Sequence, residues 1–271
     1  MDLNTVEAVL RPATRHDLQP FRPGDAWLAG GTWLLSEPQR HLRRLIDLSS
    51  LGWPALEVGP DGLSIGATCP VATLESFEPP ASWRAGSLIA ACCHALWASF
   101  KIWNTATVGG NLCLALPAAP LISLAVALDA SCLIWTSDGT ERRLPALDLV
   151  LGPQRTALAP GDLLRRIDIP AAAFRQRSAF RQMSLTPLGR SAALLIGTRH
   201  DSGEFCLTVT ASTPRPLRLA FDQVPSAEAL RHGIDATIPI AAYFDDVHGA
   251  PDWRQHLTRH LAEEIRAELS A

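Results

Sequence analysis

The stretch Leu28-Ala29-Gly30-Gly31-Thr32-Trp33-Leu34-Leu35 sets two adjacent glycines inside apolar sequence. About 75 residues later, Thr107-Val108-Gly109-Gly110-Asn111-Leu112 does so again. Glycine in such surroundings costs conformational entropy, so it asks for a backbone reason: a positive φ, or a neighbour too close for a Cβ. Paired glycines let successive N–H groups gather around an anion such as a diphosphate. Thr32, Thr107 and Asn111 set side-chain donors beside them. Taken alone, either pair reads first as a tight turn packed against its neighbours.

Outward from the motifs, the chain alternates short strands with short helices. Residues 42–48 (LRRLIDL) read as a strand after a helical turn. Asp61-Gly62 divides two short strand patterns and predicts a hairpin, and Ser137-Asp138-Gly139-Thr140 predicts a second. Residues 87–100 (SLIAACCHALWASF) and 121–128 read as buried helices, and residues 163–169 as a strand stopped by Pro170. After a change of character near 170–177 come an apolar run at 192–197 and a strand at 205–209. A helix over 252–269 closes the chain, with Trp253, Leu257, Leu261, Ile265 and Leu269 on one face and capping-box spacing at Asp252 and Gln255. Strands, hairpins and helices in this mixture predict an α+β organisation.

Composition narrows the class. The 271 residues are 47% hydrophobic and 19% charged, which is a globular balance. A net charge of −3 offers no electrostatic footprint for nucleic acid or anionic lipid. Residues 104–128 carry no charge, but Gly109, Gly110, Pro117 and Pro120 cut their apolar pieces below a membrane span. Asp2, Glu7, Arg11, Arg15 and Asp17 leave no signal-peptide core in the first twenty residues. The six cysteines have no framework spacing, so they are expected as free, buried thiols in a reducing, cytoplasmic setting.

Other chemistries lack their motifs. There is no G-x-G-x-x-G and no phosphate loop of the G-x-x-x-x-G-K-[ST] type, and Lys101 is the only lysine. His256 and His260 lie four apart, but Leu257 stands where a zinc protease helix carries its Glu, so a solvated helix face is expected. Cys92-Cys93-His94 sits in apolar sequence and reads as inert thiols beside a satisfied core or groove histidine. No cysteines have iron–sulfur spacing.

The two glycine motifs, in this order, resemble those of the FAD-binding (medium) subunits of the molybdenum hydroxylases, the family of carbon monoxide dehydrogenase and xanthine dehydrogenase flavoproteins. The similarity runs nearly end to end. It includes Arg11-Pro12-Ala13-Thr14, Leu45-Ile46-Asp47-Leu48, Leu63-Ser64-Ile65-Gly66-Ala67 and residues 104–112. It continues through Gly152-Pro153-Gln154-Arg155-Thr156 and residues 163–170. Ser178-Ala179-Phe180-Arg181, Thr213-Pro214-Arg215-Pro216 and Asp246-Val247-His248-Gly249 extend it to the last part of the chain.

The resemblance implies a two-part FAD-binding domain of the vanillyl-alcohol-oxidase (PCMH) type over 1–170, with subdomains of about 1–55 and 56–170. A smaller α+β domain over 171–271 would follow. It implies that FAD meets Leu28, Ala29, Gly30, Gly31, Thr32, Trp33 and Leu34 on one side and Thr107, Val108, Gly109, Gly110 and Asn111 on the other. Leu164 and Arg181 would also touch the cofactor, and Trp97, ten residues before Thr107, would lie near the isoalloxazine ring or else face the core.

Three positions depart from the pattern: Trp33 replaces an Asp, Trp103 an Arg, and Pro120 an acidic residue. The implied role is an electron-transfer subunit with no catalytic acid or base and no metal of its own. A large molybdopterin-binding partner and a small [2Fe–2S] partner would feed it, and NAD, oxygen or a quinone would drain it. Pro120 favours the alternative of a flavin-free scaffolding or assembly paralogue. The charge-poor stretch 85–128 is expected to offer a partner face.

Overall fold

The computed structural model describes residues 3–271; Met1 and Asp2, at the start of the expected first subdomain, lie outside the described residues. The first sheet is parallel. It contains β1 (Ala8–Leu10), β2 (Asp25–Leu28) and β3 (Arg44–Asp47), with β3 in the middle. Arg44 locks β2 to β3 by donating from Nε and Nη2 to the two carboxylate oxygens of buried Asp25, at 2.7 and 2.5 Å. Leu28 ends β2, so the first glycine pair begins where the chain leaves this sheet.

Both predicted hairpins form. β4 (Leu56–Gly59) and β5 (Gly62–Gly66) flank the first turn, and β6 (Ser131–Trp135) and β7 (Glu141–Pro145) the second. A small pair, β8 (Val150–Gly152) and β9 (Arg155–Thr156), precedes β10 (Leu163–Pro170). The second sheet is antiparallel in the order β4-β5-β10-β6-β7. A bulge falls between Leu164 and Arg166 and turns Arg165 over the Trp53 ring, 4.4 Å from its centroid. Trp27 of the first sheet donates to the Asp162 carbonyl at 3.0 Å and ties the two sheets together.

The third sheet is a meander of β11 (Arg177–Met183), β12 (Ala193–Arg199), β13 (Phe205–Thr210) and β14 (Leu217–Phe221). Its two faces go to different cores. Leu194 and Ile196 join the core beneath the second sheet, where all eight residues of the helix Pro120–Ala127 are buried. Leu195, Leu207 and Val209 join a second core with the helices Ala227–Thr237 and Pro251–Ser270. Burial on both faces explains the unbroken apolar run at 192–197. Gly197 is needed there, because a Cβ would lie 2.2 Å from Ile265 Cγ2 on the last helix.

Two local expectations are corrected. The helix predicted over 87–100 stops at His94, and a separate turn runs over Phe100–Trp103. Trp103 Nε1 takes the Leu96 carbonyl at 2.9 Å, an acceptor that a continuing helix would have used. His94, read as a core or groove histidine, is exposed, bonded to Glu75 at 3.0 Å and stacked on Trp103. The last helix has no capping box: Ala250 is its N-cap and Pro251 its first residue, where a missing N–H is harmless. His256 and His260 are exposed, as expected for a solvated face.

Candidate functional site

A cleft of about 640 Å³ runs between the first glycine loop, the second glycine motif and one end of the third sheet. That size suits an organic ligand. Of the residues expected at a cofactor, Ala29, Gly30, Gly31, Thr32, Trp33, Leu34, Trp97, Thr107, Gly110 and Asn111 line it.

The first pair makes an open loop. Gly31 takes φ +67°, a conformation that a side chain resists. Gly30 is pressed against the second motif: a Cβ there would sit 1.8 Å from the Thr105 carbonyl oxygen. The loop then folds into a single turn, with Leu35 N–H on the Gly31 carbonyl at 2.8 Å and Ser36 N–H on the Trp33 carbonyl at 2.9 Å. Among the described residues no acceptor takes the N–H groups of Gly30, Gly31, Thr32 or Trp33. These half-buried donors line the cleft. An array of unclaimed N–H groups calls for water or an anion.

The second pair is different: its backbone donors are taken up within the chain. Thr107 caps a helix, Val108–Leu114, and its Oγ1 accepts the Gly110 N–H at 3.0 Å. Val108 N–H goes to the Cys69 carbonyl and Gly109 N–H to the Ala67 carbonyl, both at 2.9 Å. Asn111 N–H is held by the Thr107 carbonyl, also at 2.9 Å. Val108 and Gly109 are therefore buried away from the cleft. Gly109 is required by packing, since a Cβ would lie 2.6 Å from both the Cβ and the carbonyl oxygen of Ala67. Gly110 faces the cleft, where the only close neighbour for a Cβ is Thr107 Oγ1 at 2.8 Å.

Leu28, Leu164 and Arg181 are not among the cleft's lining residues. Leu28 is held in β2 by its pairing with Asp47. Leu164 is buried in the main core, paired with Ile134 in the sheet. Arg181 turns away from the cleft. It donates to Glu264 at 2.7 Å and Glu268 at 2.8 Å on the last helix, and the Glu264 hydrogen bond leads in pushing its pKa up. Trp97 is 49% exposed at the cleft rather than buried as core. Pro120 starts its helix from a buried first position, where no N–H is required. The next N–H, that of Leu121, reaches Asn111 Oδ1 at 3.3 Å.

The far wall was missed as a site. Arg190, Ser191, Ala211, Phe244, Asp246, His248 and Arg254 line it. Arg254 is 1% exposed and donates to the carbonyls of Gly249 at 2.9 Å, Ala192 at 2.7 Å and Ala211 at 2.5 Å, and to the Asp246 carboxylate. Burial lowers its pKa while Asp246 opposes that shift. Ala211 and Gln154, both lining the cleft, hold non-glycine positive φ values of 64° and 54°. Such strain gathers where surrounding structure imposes it. The family-like run Asp246-Val247-His248-Gly249 was the sequence signal that could have pointed here.

Six cysteines are free, five of them buried and Cys113 exposed. No helix among the described residues is long and apolar enough to cross a membrane.

A family model described as the FAD binding domain in molybdopterin dehydrogenase matches residues 7–172. Xanthine dehydrogenase of Oryza sativa subsp. japonica is 31% identical over 121 residues, which make up 42% of this chain and only 9% of that protein. A reconstituted carbon monoxide dehydrogenase from Oligotropha carboxidovorans superposes with a TM-score of 0.80 at 21% identity, covering 98% of this chain and 99% of that one. Carbon monoxide dehydrogenase from Hydrogenophaga pseudoflava, in a form lacking the Mo-pyranopterin moiety, gives 0.78 at 22% identity, with 96% of each chain covered. Quinoline 2-oxidoreductase from Pseudomonas putida 86 gives 0.76 at 18% identity over 99% of this chain and 98% of that one. At these identities the structural likeness establishes the fold, the α+β architecture that the resemblance implied. Matched over more than half its length, the chain belongs to the family of FAD-binding domains of molybdopterin dehydrogenases.

Proposed function

We propose that this chain is the FAD-carrying electron-transfer subunit of a molybdenum-containing hydroxylase or dehydrogenase. A large molybdopterin-binding partner oxidises the substrate, a small [2Fe–2S] partner relays the electrons, and they leave this chain for a final acceptor such as NAD⁺, oxygen or a quinone. The observation that carries the reading is the row of unclaimed N–H groups from Gly30 to Trp33 in a cleft of ligand size. That row suits a diphosphate. The cleft's charges agree: its lining carboxylate, Asp246, is already paired with Arg254, while Arg190 and His248 add cationic or polar capacity.

In this role the chain's residues hold and orient rather than react. Gly30 to Trp33 would bind the phosphates, Gly110 would leave room beside them, and Trp97 would flank the ring system. When bound, FAD supplies the redox chemistry, two electrons at a time or singly. Residues 1–170 would carry these loops as one domain, with 171–271 as a second that contributes the far wall. Phe100, 72% exposed within the charge-poor stretch 85–128 and outside the cleft lining, supports a contact face for a partner.

The test is co-expression with the neighbouring reading frames. One gel-filtration complex carrying flavin, iron and molybdenum is expected, while the isolated chain is yellow and does not turn over aldehydes or purines. A colourless isolated chain would favour the scaffolding alternative, and substrate oxidation by the isolated chain would replace the relay with a self-contained oxidase.

A further inference from the structure

The far wall of the cleft holds a cation with no partner among the described residues. Arg190 lines the cleft, and among the described residues its guanidinium makes no hydrogen bond and no ion pair. The chain's other cleft arginine differs: Arg254 is buried and held by three carbonyls and Asp246. The residues just after Arg190 are anchored. The hairpin loop that carries it is closed by Ala192 N–H on the Met183 carbonyl at 2.8 Å and by Gln182 Nε2 on Ser191 Oγ at 2.9 Å. Arg254 grips the Ala192 carbonyl two residues further on. A free arginine held at the edge of a cleft, with the nearby carboxylate neutralised by a buried partner, is prepared for an anionic group on a ligand.

We propose that Arg190 is a cofactor-facing residue that binds negative charge on the flavin nucleotide. This rests on the reading of the cleft as the FAD site. Two parts of that ligand carry negative charge: the diphosphate in every redox state, and the isoalloxazine ring once reduced. The two leave different signatures. A cation on the diphosphate raises affinity for oxidised FAD and does nothing for riboflavin. A cation on the ring favours the reduced form and raises the midpoint potential.

The experiment uses the 271-residue chain, its R190Q and R190K variants, FAD and riboflavin titrations, and a potentiometric titration of the bound flavin. Thermal unfolding checks that the exposed substitution leaves the fold intact. For a diphosphate contact, R190Q weakens FAD about tenfold, leaves riboflavin unchanged, and R190K restores most of the loss. For a ring contact, R190Q leaves oxidised FAD binding unchanged and lowers the potential by about 30 mV, the equivalent of a tenfold change for two electrons. Unchanged affinity together with unchanged potential overturns the proposal and makes Arg190 a solvated surface charge. A wild-type chain that binds no FAD overturns the flavin reading, and this inference with it.

Discussion

The two glycine pairs look alike in sequence and are used in opposite ways. Around Gly30 and Gly31 the backbone donors are left open to the cleft, and the glycines are there for a positive φ and for contact with the Thr105 carbonyl. Around Gly109 and Gly110 the donors are spent on Cys69, Ala67 and the Thr107 side chain. There the glycines let a helix start lie against the end of β5 and leave the cleft unfilled. One loop presents binding groups and the other fixes its position. A glycine doublet therefore states that the backbone comes close to something; what it approaches, protein or ligand, depends on where the N–H groups go.

The largest effect is expected at Gly109. Gly109→Val drives a branched side chain into Ala67 backbone atoms 2.6 to 2.8 Å from the Cβ, none of which can rotate away. A loss of about 3 kcal/mol or more is expected, seen as a large drop in unfolding temperature or as insoluble protein. A variant of wild-type stability would show that this helix start is not packed as described. One residue on, Gly110→Val should remain folded, losing only the Thr107 cap at about 1 kcal/mol. It should nonetheless bind flavin at least about tenfold more weakly, because the new side chain enters the cleft. Equal damage to stability from both substitutions would erase the distinction between the two glycines.

A smaller effect, confined to acid, tests what holds the first loop's strand. Hydrogen bonding from Arg44 leads in lowering the pKa of Asp25, with the Arg22 N–H assisting and burial opposing. A carboxylate with a lowered folded-state pKa contributes stability above its ordinary value and loses it as pH falls through the lowered one. Asp25→Asn should therefore unfold at a lower temperature than wild type at pH 7, and the gap should narrow as pH falls towards 3. A gap independent of pH would remove the Asp25–Arg44 pair from the account.

Much of the fold was legible because it is written locally. Asp61-Gly62 and Ser137-Asp138-Gly139-Thr140 announced their hairpins, and the fourfold spacing from Trp253 to Leu269 announced the last helix. Features that depend on distant partners were not legible. Nothing near residue 96 indicates that Trp103 will take its carbonyl and end the helix at His94. Nothing in 107–111 indicates that Ala67 and Cys69, some forty residues earlier, will claim its N–H groups. The far wall depends on Arg254 joining carbonyls at 192, 211 and 249, a convergence that exists only in the folded chain. Leu164 and Arg181 entered by resemblance alone, and the core and the Glu264–Glu268 pair account for where they lie.

The most direct measurement is the flavin content of the Gly31→Val variant beside wild type, released by denaturation and identified by chromatography. A branched residue at φ +67° costs about 1–2 kcal/mol and forces the loop to another conformation, dispersing its open donors. The account predicts one FAD per chain in wild type and close to none in a Gly31→Val protein that keeps its circular dichroism and unfolds cooperatively. A folded Gly31→Val chain with a full equivalent of FAD would contradict it.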